Sequence, residues 1–342
     1  MGDKMKHEID LEKYQIRTDL AIDVVSNNKD FKQKIYNYDD IKVTDIYLNR
    51  KIDNKNEGNY ITIEFTDITD YNNEEKVKNV FSKQIEKLLK KLNIKDEDSC
   101  IIVGLGNDKS TPDALGPKVI DNILVTRHLF LLANVEDGFR CVSALEPGVM
   151  AKTGMEASDL IKSVVDNLKP SFMIVVDALA STSIERVNKT IQITDTGIHP
   201  GSGIGNYRKE ISKNKIGIPV IAIGVPTVVD AVTIVSDTIN YMYKNFSYTK
   251  NRINNPANKL AVQPSNYLKK DIEVKKEDKE NLFGIVGKLN DDEVRNLIGE
   301  VLSPIGYNLM VTPKEVDFII EKLSKIIGNG LNRALHKNVN NL

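Results

Sequence analysis

Two aspartates follow apolar segments of the chain and are candidates for acid–base chemistry. Asp113 lies in the glycine-containing segment 103–116 (VGLGNDKSTPDALG), and Asp177 directly follows the apolar residues 172–176 (FMIVV). Two carboxyl groups within a few ångströms of each other cannot easily both ionise, so one of them retains its proton. The ionised group can then act as a base on water while the protonated one assists a scissile carbonyl. We therefore predict that Asp113 and Asp177 form a hydrolytic pair.

Both aspartates also fit a purely structural role. Asp113 precedes Pro117 and is a candidate N-cap of a helix there, and Asp177 is a candidate cap of the segment that follows it. Their position after apolar runs favours catalysis, because open α/β sheets bind ligands at the carboxyl ends of their strands. A non-catalytic module that holds a peptide on the glycine loop is an alternative, but such a module needs at most one of these carboxylates.

Three residues of the loop before Asp113, namely Gly104, Gly106 and Asn107, are candidates for binding a substrate or supporting the site. Glycine allows a backbone to approach a substrate closely. The loop lacks a third glycine near the helix start, so it does not match a dinucleotide-binding fingerprint. It also lacks the Gly-Lys-Ser/Thr sequence that closes a phosphate-binding loop.

His199 lies in the glycine-rich segment 197–205 (GIHPGSGIG) and is a candidate supporting residue of the site. Together with Asp113 and Asp177 it could ligate a metal, as in hydrolytic zinc sites. A histidine in a tight loop is more often structural, and no other nitrogen ligand is apparent near the pair. We therefore predict no metal and no other cofactor, and retain metal-assisted hydrolysis as the alternative.

Two further motifs are not expected to carry chemistry. The triplet Asp195-Thr-Gly197 is found in pepsin-like proteases, but those enzymes are all-β and use two such triplets. Here a single triplet stands in an α/β pattern, so we predict a turn at the end of a strand. Cys100 and Cys141 are isolated and are interpreted as buried apolar residues rather than nucleophiles.

The composition limits the function classes. The chain has 342 residues, a length typical of about two domains, with 47 Lys and Arg against 48 Asp and Glu. This balance does not indicate a nucleic-acid or membrane surface. Two cysteines are too few for a disulfide framework. No apolar run approaches the roughly 20 residues that span a bilayer, and no secretory signal is recognisable, so we expect a cytoplasmic protein.

The elements that must position these residues alternate along the chain. Strands are predicted at 59–65, 100–106, 172–176 and 218–223, and helices at 74–93, 117–132, 227–244, 291–302 and 313–336, the last capped by Thr312. This alternation predicts an α/β fold with a mostly parallel or mixed sheet, helices on both faces and additional C-terminal helices. The polar, Lys- and Asn-rich residues 246–281 predict an insertion or linker.

Eight segments resemble the germination (spore) protease family, and they occur in order along the chain. They are 15–21 (QIRTDLA), 104–107 (GLGN), 111–117 (TPDALGP), 176–180 (VDALA), 183–188 (SIERVN), 195–205 (DTGIHPGSGIG), 224–232 (GVPTVVDAV) and 308–315 (NLMVTPKE). The resemblance implies a fold similar to that of hydrogenase maturation proteases. It also implies that the family's two critical aspartates are Asp113 and Asp177, in an atypical aspartic peptidase.

The resemblance further implies a self-processing endopeptidase that begins the degradation of small acid-soluble spore proteins during germination by cutting after acidic residues. Such enzymes are made as zymogens and assemble as homotetramers. We accordingly expect a cytoplasmic enzyme of the spore core that contacts neither nucleic acid nor membrane directly.

The cleavage that activates the zymogen is predicted between Asp19 and Leu20. An acidic residue followed by an apolar one resembles the bond that the family prefers, and residues 14–21 form a small apolar island in a polar N-terminus. Alternatively, this island packs on the core as an ordinary strand. The predicted organisation is a propeptide (1–19), an α/β catalytic core (20–245), a polar insertion or linker (246–285) and a C-terminal helical segment on the core (286–342).

Overall fold

The computed structural model describes residues 18–25, 33–52, 55–132, 135–202, 208–254, 272–302 and 309–341. The chain divides into two compact units. The larger comprises Arg17–Val229 and Thr312–Leu342, and the smaller comprises Met1–Ile16 and Asp230–Val311. The predicted propeptide lies outside the described residues except for its last two positions, and the predicted domain boundaries stay a prediction.

The sheet of the larger unit is mixed. Its strands are β1 (Gln33–Tyr38), β2 (Ile41–Leu48), β3 (Gly58–Glu64), β4 (Cys100–Gly104), β5 (Val142–Leu145), β6 (Phe172–Ser181), β7 (Thr190–Thr194) and β8 (Val220–Asp230). They lie in the order β1-β2-β3-β7-β8-β6-β4-β5. The pairs from β1 to β8 are antiparallel, and the pairs β8–β6, β6–β4 and β4–β5 are parallel. The α/β fold with a mixed sheet is therefore confirmed.

Helices cover both faces of this sheet. Those of the larger unit are α1 (Ala21–Val25), α2 (Tyr71–Lys91), α3 (Leu115–Ile120), α4 (Arg127–Leu131), α5 (Met150–Thr153), α6 (Ala157–Leu168), α7 (Lys213–Ile216) and α11 (Val316–Leu335). Ile102 and Ile174 point to the core beneath α2, α3 and α11, whereas Ile101 and Met173 point to the core beneath α6 and α7. Because both faces of β4 and β6 are buried, their sequences are continuously apolar rather than alternating.

The single helix predicted over residues 117–132 is wrong, because the chain forms α3 and α4 with a turn between them. Tertiary hydrogen bonds replace helical ones in this turn. The N–H of Leu124 donates to Oδ1 of Asn332 at 2.9 Å, and the N–H of Thr126 donates to the carbonyl of Val142 at 3.0 Å. An apolar periodicity does not reveal such distant partners.

The last helix begins later than its sequence signal suggests. α11 starts at Val316, after Glu315, and its first turn has no side-chain cap. The hydroxyl of Thr312, the predicted cap, donates instead to the carbonyl of Thr227 at 2.8 Å. Thr312 thus forms a hydrogen bond with β8 instead of capping α11.

The smaller unit is helical in its described part. It contains α8 (Ala231–Asn254), α9 (Lys276–Phe283), α10 (Asp291–Leu302) and the short strand β9 (Met310–Val311). Asp278 joins two of these helices, because it accepts hydrogen bonds from Ser247 at 2.9 Å and Lys250 at 2.5 Å. Both ends of the segment predicted to be an insertion or linker are therefore helical, while 255–271 lie outside the described residues. None of the described helices is both long and apolar enough to cross a membrane.

Candidate active site

The pairing of β4 with β6 brings the two candidate aspartates to one region of the sheet. Gly104 lies opposite Val176 in this parallel pair, and the N–H of Leu105 donates to the carbonyl of Val176 at 2.8 Å. The loop that carries Asp113 therefore leaves β4 directly beside Asp177. β6 continues to Ser181, so Asp177 lies within a strand rather than at its end.

Two glycines allow the loop to fold tightly against Asp113. Gly106 has a φ of +115°, and a Cβ there would lie 2.0 Å from the carbonyl oxygen of Asp113. Gly104 packs against α3, where its Cβ would lie 2.3 Å from the carbonyl oxygen of Gly116. The N–H of Asn107 donates to the carbonyl of Asp113 at 2.9 Å. The predicted supporting residues thus position the backbone of Asp113.

Asp113 does not serve as a helix cap. It ends a 3-10 turn over Thr111–Asp113, and α3 begins after Ala114 without a side-chain cap. Burial raises the pKa of Asp113 from its ordinary value of 3.8 to about 6, although a backbone hydrogen bond from Asn107 opposes this shift. At neutral pH the group is consequently mostly ionised but easily protonated.

Asp177 is a buried carboxyl group that favours its protonated form. Burial raises its pKa well above the ordinary value, and the neighbouring carboxylates of Asp113 and Asp19 raise the pKa further. Its Oδ1 accepts a hydrogen bond from the N–H of Ala178 at 2.9 Å. The two environments therefore differ, because burial and the neighbouring carboxylates favour the proton on Asp177 more strongly than burial favours it on Asp113.

Asp19, the residue before the predicted cleavage point, is held beside this pair. Its N–H donates to the carbonyl of Ala180 at 3.0 Å. Its carboxylate accepts from the N–H of Ala180 at 3.0 Å and from the hydroxyl of Ser202 at 2.5 Å. Both carboxylate oxygens thus have a hydrogen-bond donor, an arrangement that fits an acidic side chain and not a basic one.

The side chain of Gln192 holds the peptide backbone of the same segment. Its Nε2 donates to the carbonyl oxygen of Asp19 at 3.0 Å, and its Oε1 accepts from the N–H of Ala21 at 2.7 Å. The bond between Asp19 and Leu20 therefore lies between two hydrogen bonds made by one side chain.

The residues after this bond are packed in the core. Leu20 and Ala21 have no exposed surface and Ile22 is 7% exposed, and they cluster with residues that include Leu48 and Leu179. Ala21 and Ile22 begin α1 rather than a strand, so the ordinary N-terminal strand considered from the sequence does not form over residues 18–25.

His199 lies on the Asp19 side of the site. It lines a small cleft together with Asp19, Lys55, Gln192 and Ser202, and neither Asp113 nor Asp177 lines this cleft. Burial lowers its pKa, and its Nε2 lies 3.7 Å from a carboxylate oxygen of Glu210. Within the described ranges, no three His, Cys, Asp or Glu side chains are grouped so that they could hold a metal ion.

The other motifs have structural roles. Asp195 accepts hydrogen bonds from the N–H of Asn59 at 2.8 Å and from its side-chain amide at 2.5 Å, which braces the turn after β7. Cys100 is buried, and burial raises the pKa of its thiol, so it is not a nucleophile.

Gln192 and the backbone of Ala180 were not predicted as site residues. A glutamine in the otherwise apolar, β-branched strand 190–194 (TIQIT) was a weak signal, since a buried polar side chain must find partners. Ser202 lies in the segment around His199, but its sequence context does not indicate that it binds an aspartate 183 positions away.

The chain is similar to known proteins over nearly its whole length. The family model described as germination protease matches residues 7–342. A germination protease of Geobacillus sp. is 48% identical over 98% of this chain and 97% of its own length. One of Bacillus subtilis is also 48% identical, over the same shares of the two chains. Among solved structures, a NiFe hydrogenase maturation protease from Thermococcus kodakarensis is 19% identical and covers 42% of this chain and 80% of its own, with a TM-score of 0.28.

Proposed function

Because this chain belongs to the germination protease family and is thus an endopeptidase of spore germination, we propose that it cuts after acidic residues with Asp113 and Asp177 as its catalytic pair. The observation that carries this proposal is the place of Asp19. Its carboxylate is bound by Ser202 and by the N–H of Ala180, and its charge acts on Asp177. An acidic side chain is therefore recognised next to the catalytic pair.

Asp113 is the base and Asp177 the acid in the proposed reaction. Asp113 takes a proton from water as the water oxygen bonds to the carbonyl carbon, and the π electron pair of the carbonyl moves to its oxygen. When the C–N bond breaks, this pair re-forms the carbonyl and Asp177 protonates the leaving nitrogen. One water is consumed, and transfer of the proton from Asp113 back to Asp177 restores the pair. The raised pKa of Asp177 and the pKa of about 6 at Asp113 support this division.

We also propose that the chain is a zymogen, from which residues 1–19 are removed by cleavage between Asp19 and Leu20. The hydrogen bonds at Asp19 and Ala21 support this, because they bind the carbonyl group before the bond and the N–H of the second residue after it. The proposed natural substrates are small acid-soluble spore proteins, degraded in the spore core by a homotetramer. Family membership supports the proposed substrates, location and assembly.

The test compares peptides that differ only in the residue before the bond. We expect a Glu–Leu peptide to be cut at least 100-fold faster, in kcat/KM, than a Gln–Leu or Lys–Leu peptide of the same sequence. Products are identified by mass spectrometry. Equal cleavage of all three peptides would contradict the proposed specificity. N-terminal sequencing of the active protein tests the processing site, and an N-terminus other than Leu20 would contradict it.

A further inference from the structure

Gln192 makes contacts that a catalytic group would make. Its Nε2 is 3.0 Å from the carbonyl oxygen of Asp19, which is the oxygen that gains negative charge if water attacks this carbonyl. Its Oε1 is 2.7 Å from the N–H of Ala21, two residues further along the chain. A single planar amide thus contacts the reacting carbonyl and fixes the peptide on the other side of the bond.

The sheet places Gln192 and Asp177 on the same face, two strands apart. β7 pairs Gln192 with Gly224 of β8, and β8 pairs the same Gly224 with Asp177 of β6. Neighbouring strands are about 4.8 Å apart, and paired residues direct their side chains to the same face. Gly224 itself has no side chain, and the side chain of Leu179 lies over its Cα. A Cβ there would lie 2.3 Å from the side chain of Leu179, which packs with Leu20.

Gln192 is also held rigidly. It is 6% exposed and lies inside a buried strand, paired with Thr62 on one side and Gly224 on the other. A donor that is fixed before the reaction does not have to be reoriented when charge develops, and it acts in a site with little water. This distinguishes it from a surface amide that merely binds a peptide.

We infer that Gln192 is a further catalytic residue, which stabilises the oxyanion of the scissile carbonyl and aligns the substrate through the N–H two residues after the bond. This inference rests on the proposed cleavage between Asp19 and Leu20. It extends to protein substrates whose acidic residue occupies the place of Asp19 in this structure.

The electron changes define what the residue does. As the water oxygen bonds to the carbonyl carbon, the π pair moves onto the carbonyl oxygen, and the Nε2–H of Gln192 stabilises that charge. The pair returns to form the new carboxyl group as the C–N bond breaks and the nitrogen of Leu20 is protonated. Gln192 neither gains nor loses a proton in this step. Loss of one such donor lowers kcat by about 10²–10³-fold in proteases.

The experiment uses the full-length chain with Gln192→Met, which retains length and loses both hydrogen bonds, and Gln192→Glu, which keeps an acceptor but replaces the donor by a negative charge. Thr190→Val is the matched control. It lies two residues away in the same strand, is 1% exposed, and its hydroxyl has no partner among the described residues. The readouts are the rate of appearance of the Leu20 N-terminus and, after prolonged self-processing, kcat and KM on a Glu–Leu peptide.

We expect Gln192→Met to lower the self-cleavage rate and kcat by about 10²–10³-fold, Gln192→Glu to lower them at least as much, and Thr190→Val to change them less than threefold.

A second substrate isolates the alignment contact. In this depsipeptide, an ester oxygen replaces the N–H two residues after the bond. We expect its KM to rise about tenfold with the unsubstituted enzyme and to change little with Gln192→Met.

The failures of the two proposals are distinguishable. If the unsubstituted enzyme does not cut acid–Leu bonds, the proposed function fails. If it does, and folded Gln192→Met or Gln192→Glu retains a kcat within threefold of it, the role of Gln192 is overturned. If Gln192→Met fails to fold, as shown by circular dichroism, the Glu variant, which has the same shape as glutamine, decides.

Discussion

The hydroxyl of Ser202 donates to the carboxylate of Asp19 at 2.5 Å, although the two residues are 183 positions apart in the chain. The other carboxylate oxygen accepts from a backbone N–H of β6, three residues after Asp177. The side chain before the proposed cleavage point is thus bound by β6, the strand that contains Asp177, and by the loop that contains Ser202. The proposed recognition of an acidic residue and the proposed chemistry therefore both depend on β6.

Ser202→Ala should weaken the preference for acidic residues. A hydrogen bond to a charged group contributes about 1.5–3 kcal/mol, so the ratio of kcat/KM for Glu–Leu over Gln–Leu peptides should fall at least tenfold. Ser212→Ala is a suitable control, because Ser212 is 3% exposed and its hydroxyl has no partner within the described part of the chain. An unchanged ratio in the Ser202 variant would show that this hydroxyl does not contribute to recognition of the acidic side chain.

Asp113→Asn and Asp177→Asn should each abolish cleavage while the protein stays folded. Because the two groups act as a unit, the double variant should be hardly worse than either single one. Asp195→Asn serves as the control, since Asp195 braces a turn through Asn59 and is not part of the proposed pair. Self-cleavage and peptide turnover are the measurements. Near-normal turnover by either folded single variant would exclude the pair.

Asp113→Asn should increase stability at high pH. The folded protein keeps the proton on Asp113 up to a pKa of about 6, whereas an ordinary aspartate loses it near 3.8. Folded protein therefore binds more protons between these values, and this group lowers the free energy of unfolding as the pH rises from about 4 to 6. Above pH 6 the free energy of unfolding should stay lower by the full amount, about 2–3 kcal/mol.

Urea unfolding of the unsubstituted chain and Asp113→Asn at pH 4, 6 and 8 measures this effect. The stabilisation by the asparagine should be smallest at pH 4 and largest at pH 8. Asp177→Asn should show the same sign, because burial also raises the pKa of Asp177. A gain that is greater at pH 4 than at pH 8 would contradict the assignment of raised pKa values.

Gly106→Ala should disrupt the catalytic site as well as the fold. Its Cβ would lie 2.0 Å from the carbonyl oxygen of Asp113, so Asp113 must move and activity should fall at least 100-fold. Gly154→Ala separates this clash from backbone strain. Gly154 also has a positive φ, +71°, but no atom lies within 4 Å of its Cβ position. It should lose about 1 kcal/mol of stability and retain full activity. Equal losses of activity in the two variants would refute the positioning role of Gly106.

Removal of metal should leave the activity unchanged. The described residues contain no group of three metal-ligating side chains, and His199 lies on the Asp19 side of the site. Turnover of a Glu–Leu peptide after exhaustive dialysis against a chelator is compared with turnover after dialysis against buffer alone. Loss of activity that one specific divalent ion restores would favour the metal-assisted alternative.

Much of the core could be predicted from local sequence. Residues buried on both faces of a sheet must be apolar without interruption, and such runs mark β4 and the first half of β6. The end of the second run was less informative. β6 continues through Asp177, because Gly224 of β8 pairs with it and completes the backbone hydrogen bonds. In the sequence, an aspartate after an apolar run therefore suggests that the strand ends there, although in the structure the strand continues through it.

The sequence by itself determined the fold class and the two candidate aspartates, since both depend on local patterns of apolar residues, glycines and carboxylates. Only the tertiary structure decided which groups meet at Asp19. Gln192 and Ser202 reach it from 173 and 183 positions away, because β7 lies next to β8 and β8 next to β6. The order of strands in a sheet depends on long-range pairing of backbone groups, which are the same in every residue except proline. No local pattern of side chains therefore encodes these contacts.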